Sequence, residues 1–269
     1  PSGWYASGGI TGLHQRGLPT PRFIREITME GSVDARSIIG WVRVLDRSLH
    51  DRRVAGVLLR VRRTDLTLAY AQELRLMVAA LQEAGKRVAC VLDSPTGPEA
   101  YLCAAAERRL MDPAGVVRWT GVSSRRVLLG GALQNLGVRA DFLRIGQYKD
   151  AVEALTNRQS TTPSSNQRMA LVRGAATRMG FDVAHDLSVS RADAAQLLSQ
   201  GPYTSAEAVE HQIVNGLADG ARVSRHIEPL FGSRLPLRSS PPGIARDAGA
   251  GGVPIGVVVI DENIVDGDN

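Results

Sequence analysis

The stretch RIGQYKDAVEAL, residues 144–155, carries the residue in this chain best suited to chemistry. Lys149 is one of only two lysines; Lys86 is the other, and the remaining 30 of the 32 basic residues are arginine. A solvated face or an ion pair could use either residue type. Only lysine can give up its proton when its surroundings lower its pKa, because guanidinium stays charged. A neutral amine beside a hydroxyl is a general base, so Lys149 is a candidate activator of a nucleophilic serine. The competing role is structural: Glu153 follows at helical spacing, and an exposed pair of that kind contributes only ~0.3–0.5 kcal/mol. A lysine held there would stay charged and could not act as a base.

Other chemistries find little in the sequence. Cys90 and Cys103 lie in apolar surroundings, VACVLD and AYLCAAA, without CxxC spacing, and read as buried thiols. The histidines at 14, 50, 185, 211 and 226 show no HExxH or paired-ligand spacing, so neither a metal site nor a cofactor is expected. His211 in AVEHQIVNG reads as a helix-end residue favoured by the dipole. The net charge is +5 and the pI about 9.7, yet the arginines are scattered in doublets such as Arg62-Arg63 and Arg125-Arg126. With aromatics at 4% there is no stacking platform for a single strand, and nucleic acid is not an expected partner. The basic balance suits an anionic membrane surface. No stretch approaches the ~18 apolar residues of a spanning helix; the chain opens on Pro1, and any anchor is expected upstream, outside this sequence.

These residues need a scaffold, and the hydrophobic pattern supplies one. After a Gly/Ser/Pro-rich arm (1–21), RFIREITM reads as a strand and SIIGWVRVLDRSLH as a helix with Ile38, Val42, Leu45 and Leu49 on one face. VAGVLLRV is a continuous apolar run, a strand buried on both faces. LTLAYAQELRLMVAALQEAG is a helix ending at Gly85. The strand RVACVLD, the helix PEAYLCAAAE and the strand RRLMD follow. RRVLLGGALQNLG reads as a helix and VRADFLRI as a strand leading to Lys149. Helices are expected from Pro163, after the cap at Ser190 and over TSAEAVEHQIVNGLADG, the last with a short strand behind it. Strand–helix alternation of this kind implies parallel strands with crossover helices, an α/β domain over 22–231. Residues 232–252 read as a Gly/Pro/Ser linker, and VPIGVVVIDENIVDGDN (253–269) as a new strand. Glu30, Val33 and Asp34 recur in register as Glu262, Val265 and Asp266, so 253–269 reads as the truncated start of a second repeat.

The order GVLLRV, EAGKRVACVLD, EAYLCAAAERRLMDPAGVV and GVRADFLRIGQYKDAVEAL resembles the signal peptide peptidase A (protease IV) family, and specifically the amino-terminal half of its long, duplicated form. GQYKDAVE is similar to the family pattern G-x-Y-K-S-A-V-E: Lys149 takes the place of the family lysine, with Gly146, Tyr148, Ala151, Val152 and Glu153 matching around it. The resemblance implies a Clp protease/crotonase-like spiral of strand-strand-helix units and peptide hydrolysis by a serine–lysine dyad. In the duplicated form the first half gives the lysine and the second the serine.

Of three departures from the family pattern, the first two fit that division. Lined up on Tyr101, the family serine falls on Gly97, so no nucleophile is expected in this chain, and Ser94 lies three positions too early. The family's glycine-rich loop after the second strand, which offers amides to an oxyanion, is here VRRTDLTLA. Asp150 stands where the family has serine. Glu153 reads as structural, orienting the segment or capping an amide, and Tyr148 and Tyr101 as packed aromatics. The implied partners are signal peptides and unfolded chains, further copies in a homo-oligomer, and a bacterial inner membrane reached through a segment outside this chain, facing the periplasm. The alternative is a non-catalytic crotonase-fold assembly module; an acyl-CoA enzyme of the same fold would need the oxyanion loop that is missing here.

Overall fold

The computed structural model describes residues 21–239. The arm up to residue 20, most of the expected linker and the expected second-repeat strand at 253–269 lie outside the described residues. The first elements are β1 (Phe23–Gly31), α1 (Ala35–His50), β2 (Val54–Thr64), α2 (Leu68–Glu83), β3 (Arg87–Leu92), α3 (Gly97–Ala104), β4 (Arg108–Met111) and β5 (Val116–Val117). Then come α4 (Gly130–Asn135), α5 (Glu153–Thr156), α6 (Thr162–Leu187), α7 (Arg191–Gln200), β6 (Tyr203–Thr204), α8 (Ser205–Glu210), β7 (Gly216–Leu217), α9 (Val223–Phe231) and β8 (Leu237–Ser239).

Six strands form one parallel sheet in the order β7-β4-β3-β2-β1-β8, and β5 pairs antiparallel with β6 in a small second sheet. The register sets Ile27 beside Leu59 and Leu59 beside Cys90, which lines one face with apolar side chains. That face packs on Trp41 and Leu45 of α1, Leu74 and Val78 of α2, Tyr101 and Leu102 of α3, and Met179 and Val183 of α6. The opposite face carries a smaller cluster, Ile24, Leu58, Ala89 and Leu110, under Val223 and Ile227 of α9. Burial on both faces is why β2 reads as an unbroken apolar run.

Helix boundaries follow local chemistry. The Asp34 carboxylate accepts the Ser37 N–H at 2.8 Å to start α1, and the Thr67 hydroxyl accepts the Tyr70 N–H at 3.3 Å to start α2. Gly85, at φ +74°, ends α2 in the left-handed region where a side chain is strained. Ser190 caps α7 as the sequence implies.

Four expectations need correction. VRADFLRI forms no strand: residues 138–145 lie outside every sheet, with Leu143 100% and Ile145 87% exposed. Their pattern is that of a strand, but among the described residues no strand pairs with them. The helix expected over RRVLLGGALQNLG shrinks to the six residues of α4. A Cβ at Gly130 would meet the Asn157 backbone at 2.5 Å, so this glycine serves a close approach to the end of α5. The helix expected to run from Thr204 stops at Glu210, with Gln212 left-handed at φ +58°. Cys90 on β3 and Cys103 on α3 are buried but joined as a disulfide, with Cα atoms 5.6 Å apart, rather than standing as two thiols. In addition, α9 was not foreseen, and part of the expected linker, Leu237–Ser239, adds β8 beside β1.

Candidate active site

Two places carry the site residues: the N-terminus of α3 and the segment around Lys149. At the first, Pro95 and Thr96 turn the chain from β3 into α3, and Thr96 bridges to Arg118. Gly97 opens the helix, and its carbonyl accepts the Trp119 indole N–H at 3.3 Å. A Cβ at Gly97 would find only the Arg118 carbonyl, 3.9 Å away, so the position has room for a side chain and simply lacks one. Beside it Trp119, Val122, Met179 and Leu198 line an apolar cavity of about 290 Å³. Ser94 is committed elsewhere: its hydroxyl donates to the Val116 carbonyl at 3.2 Å and accepts the Val116 N–H at 3.3 Å.

Glu99 decides what this place can do. Its side chain sits in the first turn of α3, and the residue is 1% exposed. One oxygen accepts the Thr64 N–H at 2.7 Å and the Thr64 hydroxyl at 2.6 Å. The other accepts the Thr96 N–H at 2.6 Å and the Thr96 hydroxyl at 3.0 Å. Thr64 ends β2 and Thr96 precedes α3, so one carboxylate fastens the loop after β2 to the helix N-terminus. The Thr96–Glu99 half of this clasp is a capping box, so the backbone donors at this end of α3 are already satisfied by the chain's own carboxylate. The end of α3 is tied down further by Arg75, which donates to the Tyr101 carbonyl at 2.6 Å and pairs with Asp186 at 2.6 Å. The Tyr101 hydroxyl donates to Asp182; burial first, and then this bond, push its pKa up to about 12.

Lys149 lies at the end of the exposed segment, just before a turn into α5. It is exposed, and its ammonium makes no hydrogen bond or ion pair among the described residues. The expected competitor is absent: Glu153 is 0% exposed and turned away. It accepts the Thr161 hydroxyl at 2.5 Å and the Thr161 N–H at 3.3 Å, and pairs with Arg144 at 3.4 Å. Burial pushes the Glu153 carboxyl up, and the Thr161, Arg144 and Ser164 hydrogen bonds outweigh it, leaving the group below its ordinary value. Glu153 thus orients the turn and caps an amide before α6. Asp150 pairs with Arg126 at 2.8 Å and accepts the Ser164 hydroxyl at 2.6 Å. The Ser164 bond first, then the Arg126 charge, hold its carboxyl low against partial burial. Gly146, at φ +93°, makes the turn before Tyr148. Tyr148, expected as a packed aromatic, is exposed.

The roles of Glu99, Arg126 and Ser164 were not foreseen. Thr96-x-x-Glu99 is a capping box readable from spacing, though its reach to Thr64 is not. Arg126 and Ser164 meet Asp150 from 24 and 14 residues away, which no local pattern displays.

Comparison with known proteins bears on this arrangement. The model of peptidase family S49 matches residues 80–229, more than half the chain and both halves of the candidate site. The chain belongs to peptidase family S49. The S49 chain is 25% identical to Protease 4 of Salmonella typhi over 211 residues, 73% of this chain and 33% of that protein. It is 22% identical over 157 residues to the chloroplastic serine protease SPPA of Arabidopsis thaliana, 58% of this chain and 23% of that one. It therefore spans a third or less of these relatives. A mutant of the 1510-N membrane-bound stomatin-specific protease superposes with a TM-score of 0.48 at 12% identity, over 83% of this chain and 100% of its own. Membership in the signal peptide peptidase A family agrees with the parallel α/β architecture, of Clp protease/crotonase type. Among the described residues no acidic, histidine or cysteine cluster could hold a metal ion, and no helix is long and apolar enough to cross a membrane.

Proposed function

We propose that this chain is the base-donating half of a serine-type endopeptidase that degrades cleaved signal peptides and other unfolded chains. Lys149 is the general base of a serine–lysine dyad, and the nucleophilic serine belongs to a second repeat. One observation carries the reading: the Lys149 ammonium has no intrachain partner among the described residues, while the carboxylate that would have paired it, Glu153, is buried and engaged elsewhere. A structural lysine at this spacing would hold that pair. The place aligned with the family serine supports the same division, since Gly97 offers no nucleophile and Glu99 occupies the Thr64 and Thr96 donors beside it. Val138, Phe142, Leu143 and Ile145 are exposed just before Lys149 and suit contact with the second repeat or with another copy in a homo-oligomer.

The test is Lys149→Arg in the two-repeat protein, read by turnover of an unfolded peptide. Arginine keeps the charge but cannot release a proton near neutral pH. Turnover falls by several orders of magnitude while the melting temperature holds. A variant keeping more than a tenth of the activity, a loss of only ~1.4 kcal/mol on the barrier, removes Lys149 as the base.

A further inference from the structure

Lys149 is held on both sides: its N–H donates to the Gly146 carbonyl at 3.4 Å, and its carbonyl accepts from the Arg144 guanidinium at 3.1 Å. Residues 138–148 before it belong to no helix or strand and, Ala140 apart, are exposed, whereas the turn after it is fastened by contacts from more distant segments. The hub of that anchorage is Arg126, which arrives from the segment between β5 and α4. Its guanidinium donates to the Asp150 carboxylate at 2.8 Å, the Ser164 hydroxyl at 3.0 Å and the Ala151 carbonyl at 3.3 Å, and also to the Asp150 carbonyl. Glu153 lies 4.0 Å away. The arriving segment is itself fixed, by Gly121 N–H to the Leu198 carbonyl and Leu129 N–H to the Ala154 carbonyl, both at 2.6 Å.

We propose that Arg126 is a positioning residue for Lys149: its planar fork fixes the backbone at Asp150 and Ala151 and keeps the Asp150 carboxylate occupied, so that the neighbouring amine projects unpaired. The inference rests on the reading of Lys149 as the base. The chemistry explains why this chain needs such a device. Asp150 stands where the family pattern has serine, and an unoccupied carboxylate next to the base would attract its ammonium and favour the charged form. Arg126 and Ser164 engage that carboxylate instead. A lysine at 126 would supply the same charge as a single point. It could not reach a carboxylate, a hydroxyl and two carbonyls together, because that takes the guanidinium's several donors in fixed geometry.

Arg126→Lys therefore separates geometry from charge. In the present chain, hydrogen exchange of the amides at 149–156 should accelerate at least tenfold in this variant, with those of α2 unchanged. In the two-repeat protein, kcat for an unfolded peptide should fall about 100-fold, the scale of a misplaced reacting group, with KM within twofold. A role confined to fold stability would lower the melting temperature and leave kcat intact. Unchanged exchange at 149–156 overturns the inference. So does an unchanged kcat in Arg126→Lys when the Lys149→Arg control is inactive. If Lys149→Arg remains active, the catalytic reading itself falls, whatever the exchange shows. Should Arg126→Lys fail to fold, Ser164→Ala carries the test: it removes one partner each of Arg126 and Asp150, a threefold or greater loss of kcat at constant KM is expected, and an unchanged kcat overturns the inference.

Discussion

Removing the carboxylate of Glu99 probes the clasp between the end of β2 and the start of α3 most directly. In Glu99→Ala the N–H groups of Thr64 and Thr96 lose acceptors at 2.7 and 2.6 Å. Each of these part-buried donors left unpaired costs about 1–3 kcal/mol, partly offset because a buried anion no longer has to be desolvated. The two threonine hydroxyls can rotate towards other acceptors and add little. A net loss of about 3 kcal/mol follows, which for a domain of this size lowers the melting temperature by roughly 6–12 °C. Glu99→Gln is the sharper probe. Glutamine keeps the shape but turns one oxygen into an NH2 group facing an N–H donor, so one side of the clasp opposes donor to donor. It should therefore lose about 1–3 kcal/mol rather than rescue the fold. Thermal and urea unfolding of the three proteins measure this. A Gln variant as stable as the parent would refute the clasp, because a carboxylate accepting on both oxygens has no neutral isostere.

Two further outcomes are expected. Asp150 and Glu153 both have carboxyl pKa values lowered by their hydrogen bonds. Their contribution to stability is complete above the ordinary carboxylate range near pH ~4 and is lost as pH falls through the lower folded values. The melting temperature should thus drop steeply from about pH 5 downward, and less steeply in Asp150→Asn; equal slopes would show that the cluster is not linked to folding. The present chain should also leave a serine-directed phosphonate unreacted, since Gly97 has no hydroxyl and Ser94 is engaged by Val116. Stoichiometric labelling of Ser94, located by mass spectrometry, would end the divided-site reading.

What was legible in the sequence was whatever is written at short range. The continuous apolar run of β2, the face formed by Ile38 and Leu45, and the stop at Gly85 all appear in the structure where the pattern placed them. Each is decided by the burial or backbone of neighbouring residues. The misses share the opposite property. VRADFLRI has the composition of a strand, but a strand exists only with a partner, and the pattern cannot say that none lies within the described residues. Its exposed Leu143 and Ile145 are the residue of that mismatch between local preference and available pairing. The cysteine pair is equally non-local: β3 and α3 are consecutive elements packed together, and only that packing brings Cys90 to Cys103.

The candidate site divides along the same line. Lys149 and Gly97 could be singled out because a residue type that the proposed chemistry requires is present at one position and missing at the other. The devices around them could not, because each joins distant segments. Glu99 links Thr64, 35 residues away, to its own helix cap, and Arg126 links the β5–α4 segment to the turn after Lys149. Under the proposed function they belong to a half-site with complementary defects. At α3 the place for a nucleophile is bare, and the donors beside it are occupied by an internal anion. At Lys149 nearby acidic groups are occupied by Arg126, Arg144, Thr161 and Ser164, and the ammonium has no partner among the described residues. The proposed function accounts for Asp150 and Glu153 both being engaged elsewhere while Lys149 has no partner among the described residues. Carboxylates committed elsewhere around one uncommitted amine are what a base needs if its substrate-side partner comes from outside this repeat.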